Sequence, residues 1–170
     1  MIPVLTTERL TLRGPRLSDF EAYAAMRAED RMTSIGGPQT RAEAWHHMTG
    51  VAGQWALRGY GRWIVTLTGD DAPLGLVGLF HPDDWPEPEI GWTLAAAAEG
   101  RGIAAEAALA ARRFAYGTLG WRTVVSMISP GNARSEALAR RLGCRPDGTF
   151  HRAPGRDMTV WRHPAPEAAA

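Results

Sequence analysis

The run Glu99-Gly100-Arg101-Gly102-Ile103-Ala104-Ala105 constrains this chain more than any other stretch. It follows a short β-rich segment, Glu89-Ile90-Gly91-Trp92-Thr93-Leu94, and opens an alanine-rich helix expected from Ala104 to about Leu119. A helix N-terminus leaves backbone N–H groups without partners and carries the positive end of the helix dipole, so a glycine turn leading into it favours an anion. A phosphate or pyrophosphate suits this turn. Glycine at position 102 lets the backbone approach phosphate oxygens and reach positive φ. Taken alone, the same run is equally an ordinary strand-to-helix connection.

Gly100-x-Gly102-x-x-Ala105 also fits the dinucleotide fingerprint of a Rossmann oxidoreductase. That fingerprint is answered about 20 residues later by an acidic residue on the ribose. Here the corresponding strand is Thr123-Val124-Val125-Ser126-Met127-Ile128, which holds no carboxylate. The Rossmann reading is therefore the weaker one. A second feature follows that strand: Asn132-x-x-Ser135 opens a helix expected from Ala133 to Leu142 and closed by Gly143. At i, i+3 and i+7, Asn132, Ser135 and Ala139 share one helical face beside the glycine turn. Asn132 is equally a plain N-cap.

Elsewhere, Leu5 to Arg13 reads as a strand ended by Gly14-Pro15, and Ser18-x-x-Glu21 is a capping box opening a helix to about Glu29. Thr33 to Gln39, with Gly36-Gly37-Pro38, is expected to be a mobile loop and one wall of a site. Thr40-x-x-Glu43 caps a second helix to about Leu57. Trp63 to Thr68 and Leu74 to Phe80 form a hairpin, and Thr149 to His151 with Val160 to Arg162 form another around Pro154-Gly155.

A length of 170 residues with 45% hydrophobic and 22% charged residues predicts one globular domain, 1–163, with a disordered tail, 164–170. Net charge is +1 with scattered arginines, so no surface is built for nucleic acid. No leader and no membrane-length apolar run are seen, and the single Cys144 fits a reducing cytoplasm. The histidines, His46, His47, His81, His151 and His163, have no metal-ligand spacing, so no metal is expected.

In conjunction these features resemble the GNAT superfamily of N-acetyltransferases. The opening Thr7-Glu8-Arg9-Leu10-Thr11-Leu12-Arg13 and the run Gly100 to Ala107 look like its branch acting on ribosomal-protein N-termini, the RimJ/RimL type. The resemblance implies an α/β fold: a mixed, mostly antiparallel sheet, parallel at two central splayed strands and flanked by helices. It implies acetyl-CoA as cosubstrate and direct transfer to an amine, either a protein N-terminus or a small molecule. A monomer and a homodimer are both compatible. Backbone groups of Trp92, Thr93 and Leu94 would pair with pantetheine, and Gly100, Arg101, Gly102, Ile103, Ala104 and Ala105 would hold the pyrophosphate. Asn132 would contact the pantetheine or thioester end.

Two departures stand out. Glu99 replaces the Gln or Arg usual in the family turn, placing a negative charge by the pyrophosphate that Arg101 would offset. Ala139 replaces a tyrosine that in many members protonates the leaving thiolate, leaving Ser135 only a hydrogen bond or a water relay. A non-catalytic acyl-CoA-binding or sensing domain is the rival reading.

An acceptor amine of pKa about 10.4 is neutral in roughly one part in a thousand near pH 7, a cost of about 4 kcal/mol. A base is therefore useful. Glu89, at the start of the strand beside the thioester, is the candidate, though an exposed strand-end carboxylate reads the same way. His81, Asp84 and His151 are weaker. The loop 81–89 concentrates carboxylates around Trp85, a surface expected to draw a cationic amine by charge and cation–π contact.

Overall fold

The computed structural model describes residues 1–153 and 155–166. Eight strands form one sheet: β1 (Leu5–Thr6), β2 (Leu10–Arg13), β3 (Arg62–Leu67), β4 (Gly75–Phe80), β5 (Glu89–Leu94), β6 (Val125–Ile128), β7 (Arg145–His151) and β8 (Asp157–Arg162). Their order is β1-β2-β3-β4-β5-β6-β8-β7. Every neighbouring pair is antiparallel except β5 and β6. A doubly wound dinucleotide fold needs a mostly parallel sheet, so the Rossmann reading falls here. The mixed sheet with one parallel central pair is the expected fold class.

Alternation along the strands assigns the two faces. On one, Leu10, Leu12, Trp63, Val65, Val77, Leu79, Ile90 and Val124 are fully buried under α3 (Ile103–Gly117) and α4 (Ala133–Arg141). On the other, Ile64 and Leu76 pack with Phe20, Tyr23 and Met26 of α1 (Phe20–Arg27) and Met48 and Val51 of α2 (Arg41–Arg58). A third cluster, Trp85, Val125, Met127 and Val160, continues that face past β5.

Several boundaries differ from the sequence expectation. The first strand folds back on itself: Leu5 pairs with Leu12, while Thr7 N–H donates to the Leu10 carbonyl at 3.0 Å and Leu10 N–H to Thr7 Oγ1 at 3.0 Å. Ser18 does not cap α1. Asp19 stands at the start of α1 without a side-chain cap bond; its carboxylate instead accepts from Arg16 N–H at 2.7 Å, closing the 3-10 turn Leu17–Asp19, and bidentately from Arg13 at 2.7 and 2.9 Å. Asp19 is buried, and the pair with Arg13 ties β2 to the first helix. Thr40 and Glu43 form the expected capping box of α2. The terminal hairpin is longer than expected, with Thr149 to His151 facing Thr159 to Asp157, and Val160 to Ile128's neighbour Met127 on the other side. Of its turn, Pro154 lies outside the described residues, as do residues 167–170 of the tail. Pro164 is held, its carbonyl accepting from Tyr116 Oη at 2.9 Å.

Candidate active site

β5 and β6 pair only at Glu89 and Val125, then part. Backbone groups released by that divergence must find other partners. Met127 N–H donates to Glu89 Oε2 at 2.9 Å, and Ser126 Oγ donates to the Ile90 carbonyl at 2.7 Å. Two side chains thus hold the wedge open. Behind Ser126, His163 Nε2 lies 3.0 Å away and its Nδ1 lies 3.4 Å from Arg112 Nη1. A guanidinium only donates, so Nδ1 accepts and Nε2 carries the proton. Burial and the nearby Arg112 push His163 down to about 3, keeping it neutral. Ser126 therefore faces a donor rather than a base, and the serine–histidine pair is structural.

The wedge opens into a cleft of about 360 Å³. Trp92, Thr93, Leu94, Gly100, Gly102, Ile103, Ala104, Ala105, Asn132 and Ser135 all line it; Arg101 does not. The segment expected as a mobile loop begins as a 3-10 helix, Asp30–Ile35, and Met32, Ser34 and Ile35 form the opposite wall. Ser129 Oγ donates to the Ser34 carbonyl at 3.0 Å, joining that wall to the end of β6.

Gly100 and Gly102 have φ of +72° and +78°. Gly102 is the N-cap of α3 and, having no side chain, leaves the first-turn N–H groups uncapped. The turn is braced from behind by the opening motif of the chain. Glu106 accepts from Thr7 Oγ1 at 2.6 Å, Arg9 N–H at 3.0 Å and Arg9 Nε at 2.7 Å, while Arg9 Nη1 donates to the Arg101 carbonyl at 3.1 Å.

Glu99 does not leave a bare negative charge by the turn. Arg31 Nη1 and Arg134 Nη1 each hold it at 2.6 Å, and Arg31 also reaches the Leu94 carbonyl. The compensating cations are Arg31 and Arg134, from the 3-10 wall and α4, and not Arg101. Glu99→Gln should free Arg134, and the Nη1 end of Arg31, whose Nε stays paired with Glu29, for an anion in the cleft. CoA affinity is then expected to rise several-fold at low salt and to fall more steeply with added salt, measured by titration calorimetry. Unchanged affinity and salt slope would mean that neither arginine reaches the bound phosphates.

On α4, Asn132 Oδ1 accepts from Ser135 N–H at 3.3 Å as an N-cap. Ser135 Oγ accepts from Trp92 Nε1 at 3.1 Å, linking α4 to β5 and leaving the hydroxyl proton to donate elsewhere. Ala139, one turn beyond Ser135, does not line the cleft: it is fully buried in the main core, whereas Arg134, Ser135, Ala137, Leu138 and Arg141 line it.

Glu89 is buried, not an exposed strand end. Burial raises its carboxyl to about 7 against the lowering effects of the Met127 N–H and the Arg62 charge. Oε1 faces the open side of Gly91, where a Cβ would sit 3.5 Å from it. In the acidic loop before it, Asp83 is exposed without an ion-pair partner among the described residues, while two other carboxylates are paired. Asp84 pairs with Arg152 at 2.8 Å and Glu87 with Arg162 at 2.8 Å. Trp85 is buried between Phe80 and Phe150 with Arg152 over its ring, so its cation–π site is taken. His81 bonds the Trp85 carbonyl, and His151 is exposed beside Asp157.

Residues 9–145 match the Acetyltransferase (GNAT) domain. The chain belongs to the GNAT acetyltransferase family. An acetyltransferase from Agrobacterium tumefaciens str. C58 is 39% identical, superposes with a TM-score of 0.89, and is matched over 96% of this chain and 95% of its own. RimL, a ribosomal L7/L12 α-N-protein acetyltransferase solved with CoA, shares the fold at 20% identity and TM-score 0.76, over 95% of this chain and 97% of its own. Mycobacterium smegmatis RimJ, solved with a CoA disulfide, does so at 20% identity and TM-score 0.72, over 94% and 83%.

The general reaction of GNAT enzymes is acetyl transfer from acetyl-CoA to an amine, and this chain is an acyltransferase of that family. Sequence reasoning missed Arg31, Met32, Arg134, Leu138 and Arg141 of the GNAT cleft, while Ile35 falls in the segment expected as a wall. No local pattern marks the arginines, whose role comes from meeting Glu99 across 68 and 35 residues of chain. Among the described residues, no group of three or more His, Cys, Asp or Glu could hold a metal ion, and no helix is long and apolar enough to cross a membrane.

Proposed function

We propose that the cleft between β5, the glycine turn and α4 holds acetyl-CoA, and that an amine is acetylated where the wedge opens beside Glu89. The observation that carries this reading is the pairing of an uncapped, left-handed glycine N-terminus on α3 with a strand, β5, that has no backbone partner on its β6 side beyond Glu89. The first accommodates a pyrophosphate; the second accommodates an extended amide arm. The residues present fit the group: the turn is positive in field, Glu99 is neutralised, and the walls are mostly apolar. When bound, acetyl-CoA supplies an activated acyl carbon and a thiolate leaving group.

Amides from Gly100 to Ala105 bind the pyrophosphate, and Trp92, Thr93 and Leu94 offer backbone groups to the arm, with Asn132 across from them. Glu89 Oε1 takes the proton of the acceptor amine, directly or through water. A carboxyl near 7 is half ionised at neutral pH, which suits a base working there. Ser135 donates its free hydroxyl proton as a hydrogen bond to the departing sulfur. The acceptor is a protein N-terminus or a small amine, and a reducing cytoplasm suits a chain whose one thiol, Cys144, is buried and pushed up to about 12.

CoA should raise the melting temperature, because it binds only the folded state, whereas NADP should not. Free thiol should then appear when acetyl-CoA and an acceptor amine are supplied together. Stabilisation by CoA without thiol release across a broad amine screen would leave a binding domain and sink the transfer reading.

A further inference from the structure

On the face of the sheet that carries Glu89, the row across β3, β4 and β5 reads Arg62, Gly78, Gly91. Two glycines make a floor without side chains. Gly78 admits none, since a Cβ would sit 2.8 Å from the Gly61 carbonyl oxygen, while above Gly91 only Glu89 Oε1 is near. Arg62 lies along this floor with its guanidinium 4.2 Å from the centre of the Phe80 ring. Arg62 Nη2 is 3.2 Å from His47 Nε2, and His47 Nδ1 bonds Tyr23 Oη. A guanidinium only donates, so His47 Nε2 accepts, Nδ1–H donates, and the Tyr23 hydroxyl proton is left without an acceptor among the described residues. Burial with two nearby cations pushes His47 down to about 3, so it carries no charge.

Arg27 completes the cluster. It is 4% exposed, and its one side-chain bond among the described residues, Nε to Gln39 Oε1 at 2.9 Å, goes to a neutral amide. Neither Arg27 nor Arg62 has a carboxylate within ion-pair distance among the described residues. Two guanidiniums sharing one burial site is costly unless an anion joins them, and Glu89, held by Met127 N–H, is the single carboxylate whose field reaches Arg62. Meanwhile Asp84 and Glu87 of the acidic loop are paired with Arg152 and Arg162.

We infer that the acceptor carries a carboxylate a few bonds from its amine, seated on Arg62 with Arg27 and Tyr23 behind it, so that the amine falls beside Glu89. This rests on the acetyl-transfer reading and names its substrate class. The same cations that hold the carboxylate disfavour an ammonium in their midst, which helps the amine arrive neutral. A polyamine, which brings only positive charge, is excluded by the same field.

Matched acceptors test it, with thiol release as the readout. Alanine against alaninamide places the carboxylate on the backbone; Asp-Ala-Ala-amide against Asn-Ala-Ala-amide places it on the side chain of a peptide N-terminus. One acid of the two pairs should exceed its amide at least tenfold in kcat/KM, and which one does so identifies the source. Arg62→Gln should abolish that preference mainly through KM, Arg62→Lys should restore part of it, and Arg27→Gln should weaken it less. A second readout needs no turnover: N-acetylalanine and N-acetyl-Asp-Ala-Ala-amide are titrated into CoA-loaded protein, and the binding found should vanish in Arg62→Gln. Saturable binding without any transfer would overturn the transferase reading and keep the anion subsite. Transfer with equal or better use of amides or of spermidine would overturn the subsite and keep the transferase. Absence of both binding and acid preference would also overturn it.

Discussion

Glu89→Gln is expected to lower kcat/KM by about 100-fold or more at pH 7 while making the protein more stable above neutral pH. Both effects have one source. Burial holds the folded carboxyl at about 7 against an ordinary value of 4.5. Between those two values the folded state binds more proton than the unfolded state, so wild-type stability falls as pH rises from about 4.5 through 7 and is level above. The shift corresponds to at most about 3 kcal/mol. Glutamine keeps an oxygen for the Met127 N–H, so the wedge survives, and it has no charge to desolvate. Its melting temperature should therefore equal or exceed wild type at pH 8, with the gap closing at pH 4. Activity should behave oppositely, with the defect largest near neutral pH and shrinking as the amine loses its proton unaided. Glu89→Ala separates the roles: it removes the base and also leaves Met127 N–H unpaired, costing about 1–3 kcal/mol of stability. An undiminished rate for Glu89→Gln from pH 6 to 9 would remove this residue from proton transfer and leave it only the wedge.

Gly102→Val should lower CoA affinity by about 100-fold or more while costing the fold only about 1–2 kcal/mol. The N-cap of α3 sits at φ +78°, where a β-branched residue is strained. A Cβ there would lie 3.3 Å from Arg9 Nη2, the end of a flexible chain that can shift, but in shifting it loosens the brace on the Arg101 carbonyl. Strain and loosening both act on the amides that meet the pyrophosphate, whereas the hydrophobic core beneath α3 is untouched. Arg101→Ala is the matched control. Its side chain is outside the cleft, so affinity should change less than about threefold. Calorimetry with CoA decides between them, and near-wild-type affinity in Gly102→Val would move the cofactor site away from this turn.

The parts legible in the sequence were those whose cause is local. The boundaries of β5, the hairpin of β3 and β4, the Thr40 cap and the glycine N-terminus of α3 follow from steric and hydrogen-bonding preferences acting within a few residues. Where a local signal failed, burial decided. The Ser18 capping box does not form, and Asp19 beside it is buried against Arg13 of β2. Leu5 to Arg13 reads as a single strand because folding back at Thr7 to Arg9 depends on Glu106, 97 residues away from Arg9.

Charge is where sequence reading ran out. Arginines carry no partner in their spelling, and the same carboxylate is a base, a brace or a spent ion according to what lies within a few ångströms. Glu99 looked hostile to a phosphate and is neutralised; the loop 81–89 looked acidic, and its Asp84 and Glu87 are paired; Glu89 read equally as a base or an exposed strand end and is buried at the point where two strands part. The sequence by itself determined that a helix would begin behind two glycines after a central strand, because positive φ and an uncapped N-terminus are properties of the backbone. Only the tertiary structure decided which side of that strand would be cationic, because electrostatic energy depends on separation in space and on the water excluded between the charges.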